Sequence, residues 1–180
     1  MITRIHTFKT TDEGCCPCMV EVAFKPGIGI HIVGLTTESV KKSLIRTITA
    51  IQTAGYHIPG EKITVNFAPA DITKNGENYD IPIAVGIIAA SKQAELPFIK
   101  DYSMAGRLGL DGSIYEAENP DELIKVTKAQ GLKGCILPLN SALQIKDKQG
   151  IEVWGLSNIK EVIQLLKEGE TFETNDYEKY

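Results

Sequence analysis

Asp80, Pro82 and Ile83 open an apolar run, DIPIAVGIIAAS, that follows a strand-like ITVNF and a polar stretch. The run reads as a buried helix entered through Asp80 and Pro82. A helix N-terminus presents backbone N–H groups without intrahelical partners and a partial positive charge. Such a mouth can activate a nucleophile or hold an anion. The side chain placed behind Pro82 is nevertheless Ile83, which has neither lone pair nor proton to offer.

Other residue patterns carry weaker chemistry. Ser39-Val-Lys-Lys42 and Ser157-Asn-Ile-Lys160 match S-x-x-K, but no S-D-N or K-T-G companion accompanies them, so they read as a solvated helix face and a helix start. Cys15, Cys16 and Cys18 crowd into GCCPC, weak candidates for Zn²⁺, which wants four N or S ligands. Only Cys135, His6, His31 and His57 could complete that set, and none repeats a C-x₂-C spacing, so reduced cysteines in a loop are the expectation and no metal is assigned. The histidines stand apart in sequence and read as structural or surface residues. Asn75-Gly-Glu-Asn78 is too short and acidic to cradle phosphate, and no G-x-x-x-x-G-K-[ST] occurs. Asp111, beside Gly112, reads as a turn residue.

The elements that must position these residues follow from periodicity. Val20, Val22 and Phe24 alternate with Glu21, Ala23 and Lys25 as in a half-buried strand. Pro26-Gly27 turns the chain, and residues 29–34 return as a second strand expected to pair with the first. Thr36 or Thr37 caps a helix reaching Ala54, with Val40, Leu44, Ile48 and Ile51 as its buried stripe and Gly55 beyond its end. A strand at 63–67 leads into a polar surface loop, residues 70–79, and then the helix at about 81–91, apolar nearly all round and therefore central. Met104 to Ala117 reads as a hairpin turning at Asp111-Gly112, where both central residues are expected at positive φ. Asn119, Pro120 and Glu122 predict a capping box opening a helix that ends at Gly131. A strand at 132–137, a short helix from Asn140, a strand at 151–154 and a helix at 158–168, capped by Asn158 with Glu161 and ended by Gly169, complete the pattern. Residues 169–180 read as an acidic linker or frayed tail. The alternation predicts one mixed-sheet α/β domain over residues 1–168.

Bulk properties exclude several classes. A chain of 180 residues can bury a real core; 43% of its residues are apolar and 23% charged, ordinary for a globular protein. The net charge of −4 gives no global field for nucleic acid or anionic membrane. No stretch reaches the roughly 18 apolar residues of a membrane span, and the N-terminus lacks an apolar run of signal-peptide length. A cytoplasmic protein with reduced thiols is the expectation.

Taken together, HIVGL (31–35), Lys42-Ser43, ITVNFAPAD (63–71), Lys74, Gly76, Asp80-x-Pro-Ile-Ala-x-Gly-Ile, AAS (89–91) and LDGS (110–113) resemble the N-terminal domain of the magnesium-chelatase-like, ComM-type AAA+ proteins. The resemblance implies the Lon-protease-like α/β fold of the ribosomal-protein domain 2-like superfamily. In proteolytic Lon the corresponding helix begins D-G-P-S-A, with the serine as nucleophile. Asp80, Pro82 and Ala84 match here, and the serine position falls on Ile83. The partner lysine would fall at Asp121 to Leu123, none of which is lysine; Lys125, a turn later, is the fallback. A serine–lysine dyad needs a hydroxyl and an amine in reach of each other, so the resemblance implies a non-catalytic domain for assembly and substrate contact, serving DNA remodelling in natural transformation or recombination. It further implies ATP and Mg²⁺ only in an adjoining AAA+ module, and like subunits in a homo-oligomer that is hexameric in the full-length family. Lys41, Lys42, Arg46 and Lys74 are candidate backbone phosphate contacts, weighed against simple solvation, and weak or no DNA binding by the domain alone is the expectation. In the hairpin, Tyr115 and Glu116 replace the basic–proline pair that relatives tend to carry. The alternative is a serine–lysine type peptidase domain with a relocated site, for which Ser91 and Ser113 are the remote candidates. A porphyrin-directed role is suggested by the family name alone.

Overall fold

The computed structural model describes residues 1–34, 38–69 and 78–173. Its centre is one mixed seven-stranded sheet. Strands β1 (Ile2–Thr11) and β2 (Gly14–Lys25) form a long antiparallel hairpin in which Ile5 faces Val20. β3 (Ile30–Val33), helix α1 (Glu38–Thr53) and β4 (Lys62–Ala68) form a βαβ crossover, and β4 lies antiparallel to β2. Helix α2 (Asp80–Ala90) precedes β5 (Tyr102–Met104). A small ribbon, β6 (Arg107–Leu108) with β7 (Ile114–Tyr115), stands outside the main sheet. Then come α3 (Pro120–Ala129), β8 (Gly134–Pro138), α4 (Leu139–Leu143), β9 (Glu152–Leu156) and α5 (Ile159–Glu168). The strand order is β3-β4-β2-β1-β5-β8-β9, antiparallel only at the β1–β2 and β2–β4 pairings.

Strand alternation divides the core between two faces. Ile5, Val20, Val22, Met104 and Ile136 face the side covered by α1, α2 and α5. Phe8, Cys135, Leu137 and Val153 face the other side, covered by α3 and α4. Helix α2 is the centre of the first side, with Asp80 to Ile88 all buried. It comes close to the sheet because residue 86 is glycine: a Cβ there would lie 2.6 Å from Val22 Cγ2 and 3.5 Å from Ile5 Cγ1.

Several local expectations are corrected. The strand at 30–33 pairs with β4 in parallel, not with β2, because the α1 crossover carries the chain back and β4 inserts between them. The cysteines of GCCPC lie in β2, where the hairpin register pairs them with β1, rather than in a loop. At the 109–113 turn only Gly112 has positive φ, +83°; its N–H donates to Gly109 O at 3.0 Å, so the turn is a type I turn followed by a left-handed glycine. Asn119 adopts φ 50°, ψ 56° and makes no side-chain cap, its amide reaching instead toward Thr10 Oγ1 at 3.5 Å. The capping box of Asn158 with Glu161 is present as expected. The strand expected at 132–137 begins at Gly134. In the expected 70–79 surface loop, Asn78 and Tyr79 are buried, Tyr79 edge-on to Phe67 with ring centroids 5.2 Å apart. The folded body also continues past Glu168: Phe172 is buried and packs edge-on against Trp154.

Replacing Gly86 by alanine tests the α2 approach. Alanine gains about 1 kcal/mol of helix propensity, and overpacking costs about 1–3 kcal/mol. Because the nearest atom is a methyl on a rigid β-branched side chain, Gly86→Ala is expected to lower stability by about 1 kcal/mol or more. A denaturant midpoint equal to or above that of the unsubstituted protein would show that α2 has room to spare.

Candidate functional site

The mouth of α2 is organised by Asp80, which has no exposed surface. Burying a carboxylate is costly unless donors and positive charge surround it. Two elements, α1 and β6, supply three such donors. The Ser43 hydroxyl donates to Asp80 Oδ1 from α1. Arg46 Nη2, one turn on, donates to Oδ2 at 3.4 Å, and the Leu108 N–H of β6 donates to Oδ2 at 2.9 Å. Ser43 sits on the buried stripe of α1 between Val40 and Thr47, whose hydroxyl in turn donates to Ser43 O at 2.9 Å. The stripe read from apolar residues alone misses both: Ser43 and Thr47 are fully buried, while Ile48 is half-buried. The sequence signal was present, since a polar residue on each of two buried helix faces must find a partner.

The backbone around the mouth is equally committed. The Ile81 N–H donates to Gly106 O at 3.2 Å, and the Ile83 N–H to Tyr79 O at 3.0 Å. Pro82 has no N–H. Gly106 N–H donates to Asn78 O at 3.0 Å, and the Asn78 amide clasps the backbone of Glu118, accepting from its N–H at 2.9 Å and donating to its O at 3.4 Å. Gly106, at φ +150°, sits so close that a Cβ would meet Ile81 Cδ1 at 2.7 Å and Pro138 Cγ at 2.9 Å. Ile83 itself has no exposed surface and belongs to the α2-side core.

The partner positions are elsewhere. Asp121 and Lys125 lie exposed on α3, which covers the opposite face of the sheet, and Lys125 pairs with Glu122 at 2.9 Å. The fold therefore does not bring Lys125 to Ile83. Ser91 closes α2, its hydroxyl donating to Ile88 O at 3.0 Å and accepting from Gln93 Nε2 at 2.7 Å. Ser113 belongs to the β6–β7 turn, where its N–H donates to Asp111 Oδ1 at 3.0 Å.

The basic residues separate in the same way. Lys41 and Lys42 project outward from α1, Lys41 pairing with Glu38 at 2.7 Å. Arg46 turns inward to Asp80 and does not share their surface, so α1 presents no continuous basic stripe of all three. Lys74 lies outside the described residues. Beyond Arg46, between α1, the β6–β7 ribbon and α4, a cleft of about 500 Å³ opens, bordered by Arg107, Leu110, Tyr115, Glu116 and Asn140. None of these five was singled out as a ligand contact from sequence.

The three N-terminal cysteines are divided by the pleat. Cys18 points into the α2-side core, while Cys15 packs on the α3 side near Thr10. Burial raises the Cys15 thiol, and drives that of Cys135 up to about 12, which disfavours the thiolate a metal or an electrophile would need. Burial likewise raises the Tyr79 phenol, with the neighbouring Cys18 adding to it. Among the described residues no group of three or more His, Cys, Asp or Glu is placed to hold a metal ion.

The weight of the Asp80 knot is measurable. Removing a buried charged partner costs about 3–5 kcal/mol, and removing a neutral hydroxyl about 1–2 kcal/mol. Asp80→Ala is expected to fall in the first range and Ser43→Ala in the second, by urea denaturation followed through Trp154 fluorescence. An Asp80→Ala protein within about 0.5 kcal/mol of the unsubstituted chain would show that the knot contributes nothing.

Comparison with known proteins fits this geometry. The family model described as subunit ChlI of Mg-chelatase matches residues 20–141, more than half of the chain and including the whole of β4, α2 and the β6–β7 ribbon. The protein YifB of Escherichia coli K12 is 39% identical over 114 residues, 63% of this chain and 22% of YifB. The competence protein ComM of Haemophilus influenzae is 40% identical over 86 residues, 48% of this chain and 17% of ComM. An archaeal Lon protease from Methanocaldococcus jannaschii is 21% identical over 139 residues, 77% of this chain and 21% of that protease, a faint likeness that does not conflict with the mixed α/β fold. The matched region is thus about a fifth of each relative's length. No helix among the described residues is long and apolar enough to cross a membrane. With the signature stretch around Asp80 inside the matched region and organising the core, the chain belongs to the magnesium-chelatase-like, ComM-type family.

Proposed function

We propose that this chain is a non-catalytic domain for assembly and substrate contact in a ComM-type AAA+ protein, supporting DNA remodelling during natural transformation or recombination. The observation that carries the proposal is the state of the α2 mouth. A hydrolase using this position needs a nucleophile at the helix start, a base beside it and free N–H groups for the developing oxyanion. Here the nucleophile position is a core isoleucine, the N–H groups of Ile81 and Ile83 are engaged by backbone oxygens, and the candidate amine lies across the sheet.

The competence link comes through the name of the Haemophilus influenzae relative and extends to this chain as part of the same proposal. ATP and Mg²⁺ are assigned to an adjoining AAA+ module. Like subunits in a ring, hexameric in the full-length family, are the proposed partners, and the cytoplasm is the proposed location. DNA contact through the outward lysines is weak in this reading, because the chain's net charge is −4 and Lys41 is already paired to Glu38. Lys74 remains a proposed contribution from sequence.

Two measurements test the proposal. Fluorescent casein should remain intact, and a serine-reactive phosphonate probe should leave the chain unlabelled, for the natural sequence and for Ile83→Ser alike; casein cleavage or labelling of any serine would reinstate the peptidase reading. In a gel-shift titration, duplex DNA should be retarded weakly at best. Salt-sensitive micromolar binding lost in Lys41→Glu/Lys42→Glu would make those lysines a genuine phosphate-contacting surface.

A further inference from the structure

The cleft beyond Arg46 has features that solvation alone does not explain. Tyr115 is 53% exposed, yet its ring lies against the backbone of residue 109: a Cβ on Gly109 would sit 2.6 Å from Tyr115 Cε2 and 3.2 Å from its hydroxyl. The ring is therefore braced on one side while presenting surface to the cleft. A braced, half-exposed aromatic is a ready platform for a planar ligand. Leu110, 57% exposed on the same ribbon, adds apolar surface beside it.

Arg46 supplies the second feature. Its Nε is buried and has no hydrogen-bond partner among the described residues, while its Nη2 holds Asp80 only at 3.4 Å. A buried charged donor left unsatisfied is costly, and an anion entering the cleft would bring acceptors to this guanidinium. Arg107 borders the same space with a second guanidinium. Two planar cations lining one cleft suit a phosphate group. Asn140 adds an amide that can both donate to and accept from a base edge.

We infer that this cleft binds one nucleotide unit of a single-stranded nucleic acid, its phosphate between Arg46 and Arg107 and its base on Tyr115. The inference rests on the proposal that the domain contacts DNA, and it moves that contact from the α1 lysines to the ribbon. The volume of about 500 Å³ lies within the roughly 300–1,000 Å³ of small-ligand sites. Duplex DNA does not fit the chemistry, since its bases are stacked on one another and unavailable to Tyr115. An acidic peptide could use the arginines but carries no base to stack on the aromatic platform. Stacking on one ring is tolerant of base identity.

Fluorescence anisotropy of a short labelled oligothymidylate, titrated with the 180-residue chain at low and raised salt, tests the inference. Tyr115→Ala is expected to weaken binding roughly tenfold, Tyr115→Phe to retain it, and Lys41→Glu/Lys42→Glu to leave it nearly unchanged. Arg107→Glu should weaken binding and reduce the salt slope by about 0.7, the value for one lost single-strand phosphate contact. Unlabelled duplex and polyglutamate should compete poorly. Equal affinity in Tyr115→Ala, loss confined to the lysine variant, equal competition by duplex or polyglutamate, or no binding at about millimolar protein would each overturn the inference. Thermal melts check folding; should Arg107→Glu unfold, the Tyr115 pair decides alone. Absence of oligonucleotide binding with a silent casein assay removes this site and leaves the non-catalytic reading standing, whereas casein cleavage removes that reading whatever the cleft binds.

Discussion

A carboxylate taken wholly out of water imposes conditions on everything around it. Its desolvation costs several kcal/mol, recovered only where hydrogen-bond donors and positive charge arrive with good geometry. At Asp80 those donors come from Ser43 and Arg46 of α1 and from the Leu108 backbone of the ribbon. These residues are far apart in sequence, so satisfying one side chain fixes three elements together. The central helix is set against α1, the base of the β6–β7 ribbon is pinned, and the Arg46 guanidinium is held at the rim of the cleft.

The same arrangement occupies the polar groups of the mouth, which supports the proposed non-catalytic role. A helix N-terminus is useful in catalysis when its positive end and its N–H groups face a space that a substrate can enter. In this chain Asp80 already meets that positive end, Gly106 O and Tyr79 O take the nearby N–H groups, and Ile83 packs into the core. Structural saturation and catalytic competence compete for the same few atoms, and in the proposed reading saturation has taken them.

The sheet is covered unevenly. α3 and α4 shield the second face over the β5, β8 and β9 side, where Cys135, Leu137 and Val153 are buried. On the β1, β2 and β4 side the same face carries Arg4, Glu21 and Asn66, cross-linked by hydrogen bonds of 2.9 and 2.8 Å. The Asn66 amide, and then Arg4, hold the Glu21 carboxyl below the ordinary range. Polar residues on that face and apolar residues on the other are what made β2 and β4 legible as alternating strands, whereas β8, buried on both faces, gave a continuous apolar run whose ends were harder to place.

Periodicity and local punctuation determined the elements: the stripe of α1, the all-round apolar α2, the Asn158–Glu161 capping box and the left-handed glycines at 55, 112, 131 and 169 follow from short-range sterics and side-chain reach. The identity of residue 83 was also sufficient to remove a nucleophile from the helix mouth. What the chain order did not contain was which strands are neighbours. β4 inserts between β2 and β3 because the crossover buries α1, and a pairing of that kind is decided by the packing of distant segments. Nor did sequence reveal that Arg46 faces inward while Lys41 and Lys42 face outward, or that Tyr115 is braced on Gly109 beside Arg107. Those placements depend on which partners desolvation forces upon Asp80, a condition that exists only once the core has closed around it.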